Sequence, residues 1–540
     1  MRQAFGFVFA VIAVAACSFS VGAADWPQWR GPQRQGVAPA GPVLVGGWPK
    51  DGPTKLWQSE KFPSGDDGGY ASVSVADGRA YAYVNFKYKV PVLTRKLTES
   101  ALTQLGWSAE KLPDALRQAV EQARASEERA QLKNDAVWPW IDAWVAGKLD
   151  KDQKKFEPYV RARLSKGKDA LGLDLLDKLA GIRDKEFPTQ AALNQWFDDN
   201  GIAGPAKSRV MTGIPSHKEQ AKDVIYGLNA ADGSTLWRVE YPGTVYSADG
   251  RAASSTVCVA DGKCYLLGSG GLAFCLDAQT GKEIWKVPAE AGQSSFVLVD
   301  GLAVTMCKKL TAFDALTGKV VWTQEKVHSI ENSVNLWHSG DTTYLICNTD
   351  SLVYCVNPKD GQILWSADGG GYSTPAIEGD AMVILSGRKE VGLTAYKLSP
   401  QKAEKLWNIP ELIDRGASPI LHDGQVYAVA GKKTACVNLQ TGKILWEGKP
   451  GEGDISSPIL VGDKMLAILN GGTVLVMLNG TPEKYELLAK SAMLITTGSS
   501  PAIVDGKLFL RMRYGVTCFD LTQTATTTIS PTTTSAEAEK

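Results

Sequence analysis

A chain of 540 residues carries 58 Lys and Arg against 58 Asp and Glu, with 44% hydrophobic residues. Such a length buries a large core, and one repeat architecture can absorb most of it. The formal net charge of zero removes the basic excess that nucleic acid or an anionic membrane surface would require of a partner.

From the N-terminus, Arg2 precedes an apolar run from Ala4 to Ala16, followed by small residues. This reads as a signal peptide over 1–24, with cleavage after Ala23 or Ala24, and makes the protein exported: periplasmic, held at the cell envelope, or secreted. A competing reading takes "VAAC" (Val14 to Cys17) as a lipobox, which would put a lipid anchor on Cys17. The run is short of the roughly 20 residues a membrane span needs, and no later stretch is long enough, so no transmembrane span is expected in the mature chain.

A propeller is predicted over 25–87 and 223–521, interrupted by an insertion over 88–222. "TKLWQS" around Trp57 is an orphan strand ahead of the first repeat. Hairpin starts follow at Ala71, Ser254, Ser294, Asn332, Ser373, Ala417, Ser456 and Ser499, each a run with Ser at its start leading through β-branched residues. Most turn through an Asp-Gly or Gly-Asp pair, a strong hairpin signal because Gly tolerates positive φ. After each start come a third strand ending in Asp or Asn, a turn closed by Gly, and a fourth strand ending in Trp. "DAQTGKEIW" from Asp277 and "DALTGKVVW" from Asp314 show the plan most clearly. The Asx side chain can bond the turn's own backbone while Gly takes left-handed geometry.

Four-strand antiparallel units at about 40-residue spacing predict an all-β fold, an eight-bladed β-propeller with an α-helical insertion in the first blade. Trp57, Trp237, Trp285, Trp322, Trp365, Trp407 and Trp446 mark seven fourth strands, and Leu487 in "EKYELL" falls where the eighth should be. The last unit ends at "GVTCFDLTQ" without a fourth strand, so the strand around Trp57 is expected to close the ring and remove its free edges. Cys275, Cys355, Cys436 and Cys518 share one repeat column with Ala312 and Gly227, and Cys307 and Cys347 a second with Gly268 and Ala430. Columns of small residues point to core thiols rather than a disulfide framework.

In the insertion, "LPDALRQAVEQARASEERAQL" and "DALGLDLLDKLAGI" have apolar positions at helical spacing. "VWPWIDAW" concentrates Trp138, Trp140 and Trp144, expected to fill the helical core or its seam with the propeller. The Thr-rich tail over 522–540 lacks apolar content and is expected to be disordered.

These repeats resemble the quinoprotein, or pyrroloquinoline-quinone (PQQ), type of eight-bladed propeller, and the opening "DWPQWRGP" resembles bacterial exported proteins with PQQ-binding-like repeats. The A-x-D-x-x-x-G-x-x-x-W docking pattern of that family is matched best by Ala312, Asp314, Gly318 and Trp322. The resemblance implies that each Trp wedges between neighbouring blades. It also implies, for dehydrogenase members, PQQ on the axis with calcium held by acidic and amide side chains, an Asp base, a stacking Trp and commonly an adjacent cysteine pair.

That pair is absent here. The acids near inner strands, Asp66, Asp67, Asp249, Glu331, Asp414 and Asp454, lie in differing contexts, and single carboxylates near Gly are more often turn residues. His217, His328, His338 and His422 form no metal-ligand spacing, with His338 and His422 beside hairpin turns. The leading expectation is a non-catalytic, BamB-like scaffold with no cofactor, binding a protein partner through the propeller face or the helical insertion. The alternatives are a PQQ-dependent alcohol or sugar dehydrogenase with a diverged site, using PQQ and calcium, and a carbohydrate-binding surface module.

Overall fold

The computed structural model describes residues 25–62, 68–110, 112–245, 254–290, 292–329, 331–453 and 455–522. The expected signal peptide, Cys17 and the tail beyond Thr522 lie outside these residues, as do Asp66, Asp67, Asp249 and Asp454. The chain divides into two compact units, one built from 1–87 with 221–540 and the other from 88–220.

The first unit is a propeller of eight antiparallel sheets, seven with four strands and one with three. The three-stranded sheet is the third blade, where four strands were expected. There the second and third strands run together as Leu302–Asp314. Its mid-point, Lys308, turns through a left-handed φ of 59°, too tight to leave a loop between the two halves. The eighth sheet is closed by the N-terminal strand Thr54–Gln58, which pairs with Gly515–Asp520 and sets Trp57 opposite Cys518.

One register recurs in every blade. Gly227, Cys275, Ala312, Cys355, Ala395 and Cys436 face Trp237, Trp285, Trp322, Trp365, Trp407 and Trp446, and an irregularity follows each pair. A small residue is required there because the indole lies over it. A Cβ added to Gly227 would come within 2.3 Å of the Trp237 ring. In the seventh blade the pair is inverted, with Met477 facing Ala489. Ala489, not Leu487, therefore takes the eighth marker position, since the bulge after the pair sets Leu487 two residues earlier, opposite Leu478. Trp48 of the N-terminal segment donates its indole N–H to Ser491 Oγ at 2.6 Å, beside that gap.

Each marker indole also reaches the next blade. Trp237, Trp285 and Trp365 donate Nε1–H to the carbonyls of Ala278, Ala315 and Ser399 at 3.1, 3.1 and 2.9 Å, and Trp57 to Ala230 at 3.0 Å. The D-x-x-T-G turn builds the receiving surface. Asp314 Oδ1 accepts from the Leu316 and Thr317 amides and the Thr317 hydroxyl at 3.1, 2.7 and 2.7 Å. Gly318, at φ 72°, lies so close to Trp285 that a Cβ would approach its ring to 2.7 Å.

The eight cysteines among the described residues are all buried and unpaired. Burial pushes the Cys258, Cys355, Cys436 and Cys518 thiols up to about 12 and Cys275 to about 11, which keeps them protonated and inert at neutral pH. Cys307 keeps the second predicted column, but by the pairing with the third strand Cys347 falls two positions short of it: Cys355 faces Ile346, where that column requires Tyr344.

The unit over 88–220 holds helices between Glu99–Leu105 and Gly204–Thr212, with a two-stranded pairing of Arg95–Lys96 and Glu186–Phe187. The long helical pattern from Leu112 breaks at Ser126. That residue is extended, and its Oγ accepts from Arg129 N at 3.1 Å, capping a new helix, Glu127–Gln131. "VWPWIDAW" lies in one helix, Val137–Lys148. Trp140 and Trp144 pack against the cluster of Leu116, Val120, Ile141, Val160 and Leu164. Trp138 does not follow the expectation of burial and is 53% exposed. The helical unit has its own part-buried ion pair, the buried Arg163 to Glu121 at 2.6 Å.

The insertion leaves the ring through Arg79–Pro91 and returns through His217–Asn229, neighbouring strands of the first sheet. At its root the side chains of Asn85 and Asp223 are 3.1 Å apart. A long excursion from one loop costs chiefly loop-closure entropy, which grows slowly with length. Joining Tyr88 to Asp223 through a short Gly-Ser turn is therefore expected to leave a soluble, β-rich protein. Circular dichroism checks this, and an unfolded product would show that the ring needs the helices.

Candidate functional site at the axis of the ring

The innermost strands begin with the Ser-rich stretches, and those hydroxyls form a circle. Ser72 N donates to Thr256 Oγ1 at 3.1 Å, Thr256 N to Ser295 Oγ at 2.9 Å, and Ser295 N to Ser333 Oγ at 3.0 Å. Thr374 N reaches Ser418 Oγ, Ser418 N reaches Ser457 Oγ and Ser457 N reaches Ser500 Oγ, each at 2.9 Å. Ser500 N then donates to Ser72 Oγ at 2.8 Å, which joins the last blade to the first. In seven of the eight blades one hydroxyl thus satisfies the buried amide of the blade before it, an arrangement only Ser or Thr can supply at that column, while in the fifth blade Thr374 Oγ1 accepts from Trp29.

The segment from Asp25 to Pro39 crosses one end of this axis. Trp26 bridges to Val75, Pro27 accepts from Val259 N at 2.8 Å, and Val37 bridges to Leu460. The Gln35 side chain accepts from Ile377 N at 2.8 Å. These bonds fall on innermost strands of the first, second, seventh and fifth blades. Trp29 donates Nε1–H to Thr374 Oγ1 at 3.2 Å, placing its indole at the hydroxyl circle. Arg30 is buried and donates to the carbonyls of Thr374, Gln35 and Pro419. Arg34 is buried as well and donates to the Phe296 carbonyl at 2.8 Å and to Gln28 Oε1 at 3.1 Å. Burial lowers these guanidiniums to about 9 and about 10.

Two cavities flank the axis. A small one of about 70 Å³ is lined by Trp29, Tyr70, Gln293, Glu331, Tyr372 and Ile455 among others. A larger one of about 570 Å³ lies between residues 28–39 of the segment and the turns of the fourth, fifth and sixth blades.

The acids flagged in the sequence do not converge among the described residues. Glu331 reaches the small cavity, whereas Asp414 Oδ1 accepts from Gly416 N and Ala417 N at 2.9 and 2.8 Å, a turn role. His338 and His422 line the larger cavity from the ends of innermost strands, His338 exposed and His422 half-buried. A PQQ-sized cofactor does not fit the small cavity, whose volume is well below the roughly 300 Å³ at which small-molecule sites begin.

Sequence reasoning missed Trp29, Arg30 and Arg34, whose signal was two Trp and two Arg in a Gly- and Pro-rich stretch outside the repeats. It also missed Asp223. This buried carboxylate accepts from Ser269 Oγ at 2.6 Å, Ser269 N at 2.8 Å and Asn85 Nδ2 at 3.1 Å, tying the first blade to the second. Burial pushes its carboxyl up, opposed by those donors.

The family model described as outer membrane protein assembly factor BamB matches residues 221–368 and 308–481. The ring is a PQQ-like, BamB-like propeller. Its relatives include the tetrathionate hydrolase of Acidithiobacillus ferrooxidans, 26% identical over 44% of this chain and 52% of that protein. The outer membrane protein assembly factor BamB of Yersinia pestis is 23% identical over 47% of this chain and 66% of its own length. The quinoprotein alcohol dehydrogenase PedH of Pseudomonas putida is 23% identical over 39% of this chain and 36% of its own. The chain thus spans between about a third and two thirds of the relatives it matches. Among solved structures, BamB from Moraxella catarrhalis superposes with a TM-score of 0.43 at 14% identity, covering 55% of this chain and 88% of that one.

Proposed function

We propose that the protein is an exported, non-catalytic propeller that binds a protein partner at the cell envelope as an assembly scaffold. The observation that carries this reading is the axis. Trp29 stands at the hydroxyl circle, and the cavity beside it has about 70 Å³, which argues against a quinone on the axis and favours the ring's outer surface for a protein partner. That surface offers apolar residues at regular places. Leu56, Leu236, Ile284, Val321 and Leu406, each immediately before a marker Trp, are 44–51% exposed on outer strands. Among the described residues no helix is long and apolar enough to cross a membrane, in keeping with a protein held outside it. The signal peptide over 1–24 belongs to the same proposal, with a lipid anchor at Cys17 as the competing reading.

A photoreactive residue at Leu236, introduced into the protein in its native cells, tests the proposal. The expected adduct contains an outer-membrane protein or a component of its assembly machinery. Titration of the purified chain with PQQ and calcium runs beside it, with no bound chromophore expected. Stoichiometric uptake of the quinone would overturn the scaffold reading in favour of the dehydrogenase one. The deletion of residues 89–222 described above is expected to weaken any partner that uses the helices.

A further inference from the structure

We propose that the cavity between the N-terminal segment and the fourth to sixth blades is a carboxylate-binding site, with Arg34 as the group that receives the anion. The cavity, at about 570 Å³, lies within the range of small-molecule sites and is lined by Gln28, Gln33, Arg34, Gln35, Asn335, His338, Glu378 and His422. Arg34 is 1% exposed, and its donors to protein use Nη1 alone. Nε and Nη2 have no acceptor. These two nitrogens share one edge of the guanidinium, the fork that matches the two oxygens of a carboxylate. No Asp or Glu among the described residues pairs with Arg34, so its charge stays uncompensated inside the ring, a costly arrangement that a bound anion relieves.

The rest of the lining suits an anion. Glu378 is the one carboxylate in the wall, and its oxygens accept from the amides of Asp423 at 2.9 Å and Gly424 at 3.3 Å. His422 Nδ1 lies 3.7 Å from the same group. His338 Nδ1 pairs with Thr343 Oγ1 at 3.0 Å, which leaves Nε2 for a ligand. Gln35 spends its oxygen on Ile377 N, so its amide N–H groups are the part left to offer. A small acid can come from two sources, the free end of a peptide or an acidic sugar, and both present the same carboxylate.

Calorimetric titration of the full chain separates them. The probes are an acetylated tripeptide as free acid and as amide, and galacturonate beside galactose. At least one acid is expected to bind saturably, with its neutral counterpart at least about tenfold weaker, a difference of about 1.4 kcal/mol. Peptide acid alone identifies a chain end as the ligand, and galacturonate alone an acidic sugar. Arg34→Gln is expected to abolish the preference for the acid. Should that variant misfold by circular dichroism, His338→Trp decides instead, because it fills the cavity from an exposed position near a strand end without touching the bonds of Arg34. Equal binding of acid and neutral forms, no binding by either acid, or full acid binding by His338→Trp overturns the site.

Discussion

Trp365→Ala is expected to destabilise the ring by about 3–5 kcal/mol, the range for deleting a buried aromatic side chain. Trp365 is 7% exposed, faces Cys355 within its own sheet and donates to the Ser399 carbonyl of the next blade at 2.9 Å. The variant loses packing on both sides and leaves that carbonyl without its donor. Trp322→Ala should cost less, since Trp322 is only half-buried although its indole N–H meets the Pro358 carbonyl at 2.8 Å. Urea unfolding followed by far-UV circular dichroism gives the order. A Trp365 variant that unfolds at the wild-type midpoint would remove the inter-blade docking role proposed for these tryptophans.

A chain that begins at Phe62 is expected to fare worse than any of these point variants. It lacks Thr54–Gln58, so Gly515–Asp520 becomes an edge strand with an unpaired ladder, the template on which sheets aggregate. It also lacks Trp26, Trp29, Arg30 and Arg34, which cross the axis. Size-exclusion chromatography with light scattering should show oligomers or aggregate where the longer chain is monodisperse. Adding a synthetic peptide covering 25–60 should restore a single species, because the lost bonds are backbone pairs and side-chain contacts that a separate strand can remake. A truncated protein that stays monodisperse without the peptide would show that the ring closes without its N-terminal strand.

The ring was legible in the sequence because each blade solves the same local problem with the same residues. The Asp of "DALTGKVVW" bonds its own turn, the Gly receives an indole from the previous blade, and the Trp reaches onward to the next. Such demands recur at every repeat and print themselves at a fixed period. The seventh blade shows the limit of that signal. Met477 and Ala489 exchange bulk across one pair, so the volume is kept while the marker vanishes, and alignment by residue type then settled on Leu487. The third blade hides its second turn in the same way, with Lys308 doing by conformation what Gly does elsewhere. The site at the axis was least legible. Trp29, Arg30 and Arg34 occur once each, with no repeat to set their register, and their partners on the blades lie more than 200 positions away in the chain.

The closing pair, Thr54–Gln58 with Gly515–Asp520, also sets a timetable. A chain made from its N-terminus presents that strand first and its partner almost last, so the two meet across nearly the whole sequence. Contacts of such separation slow folding, because the entropy of bringing the ends together is lost before the contacts form. Until the final blade emerges, the first strand and the axial segment behind it have no complete surface to join. A holding factor that shields an unpaired strand would therefore act longest on the earliest residues. Circular permutation that starts the chain at residue 499 would place both strands of the closing pair within one local unit and shorten that wait.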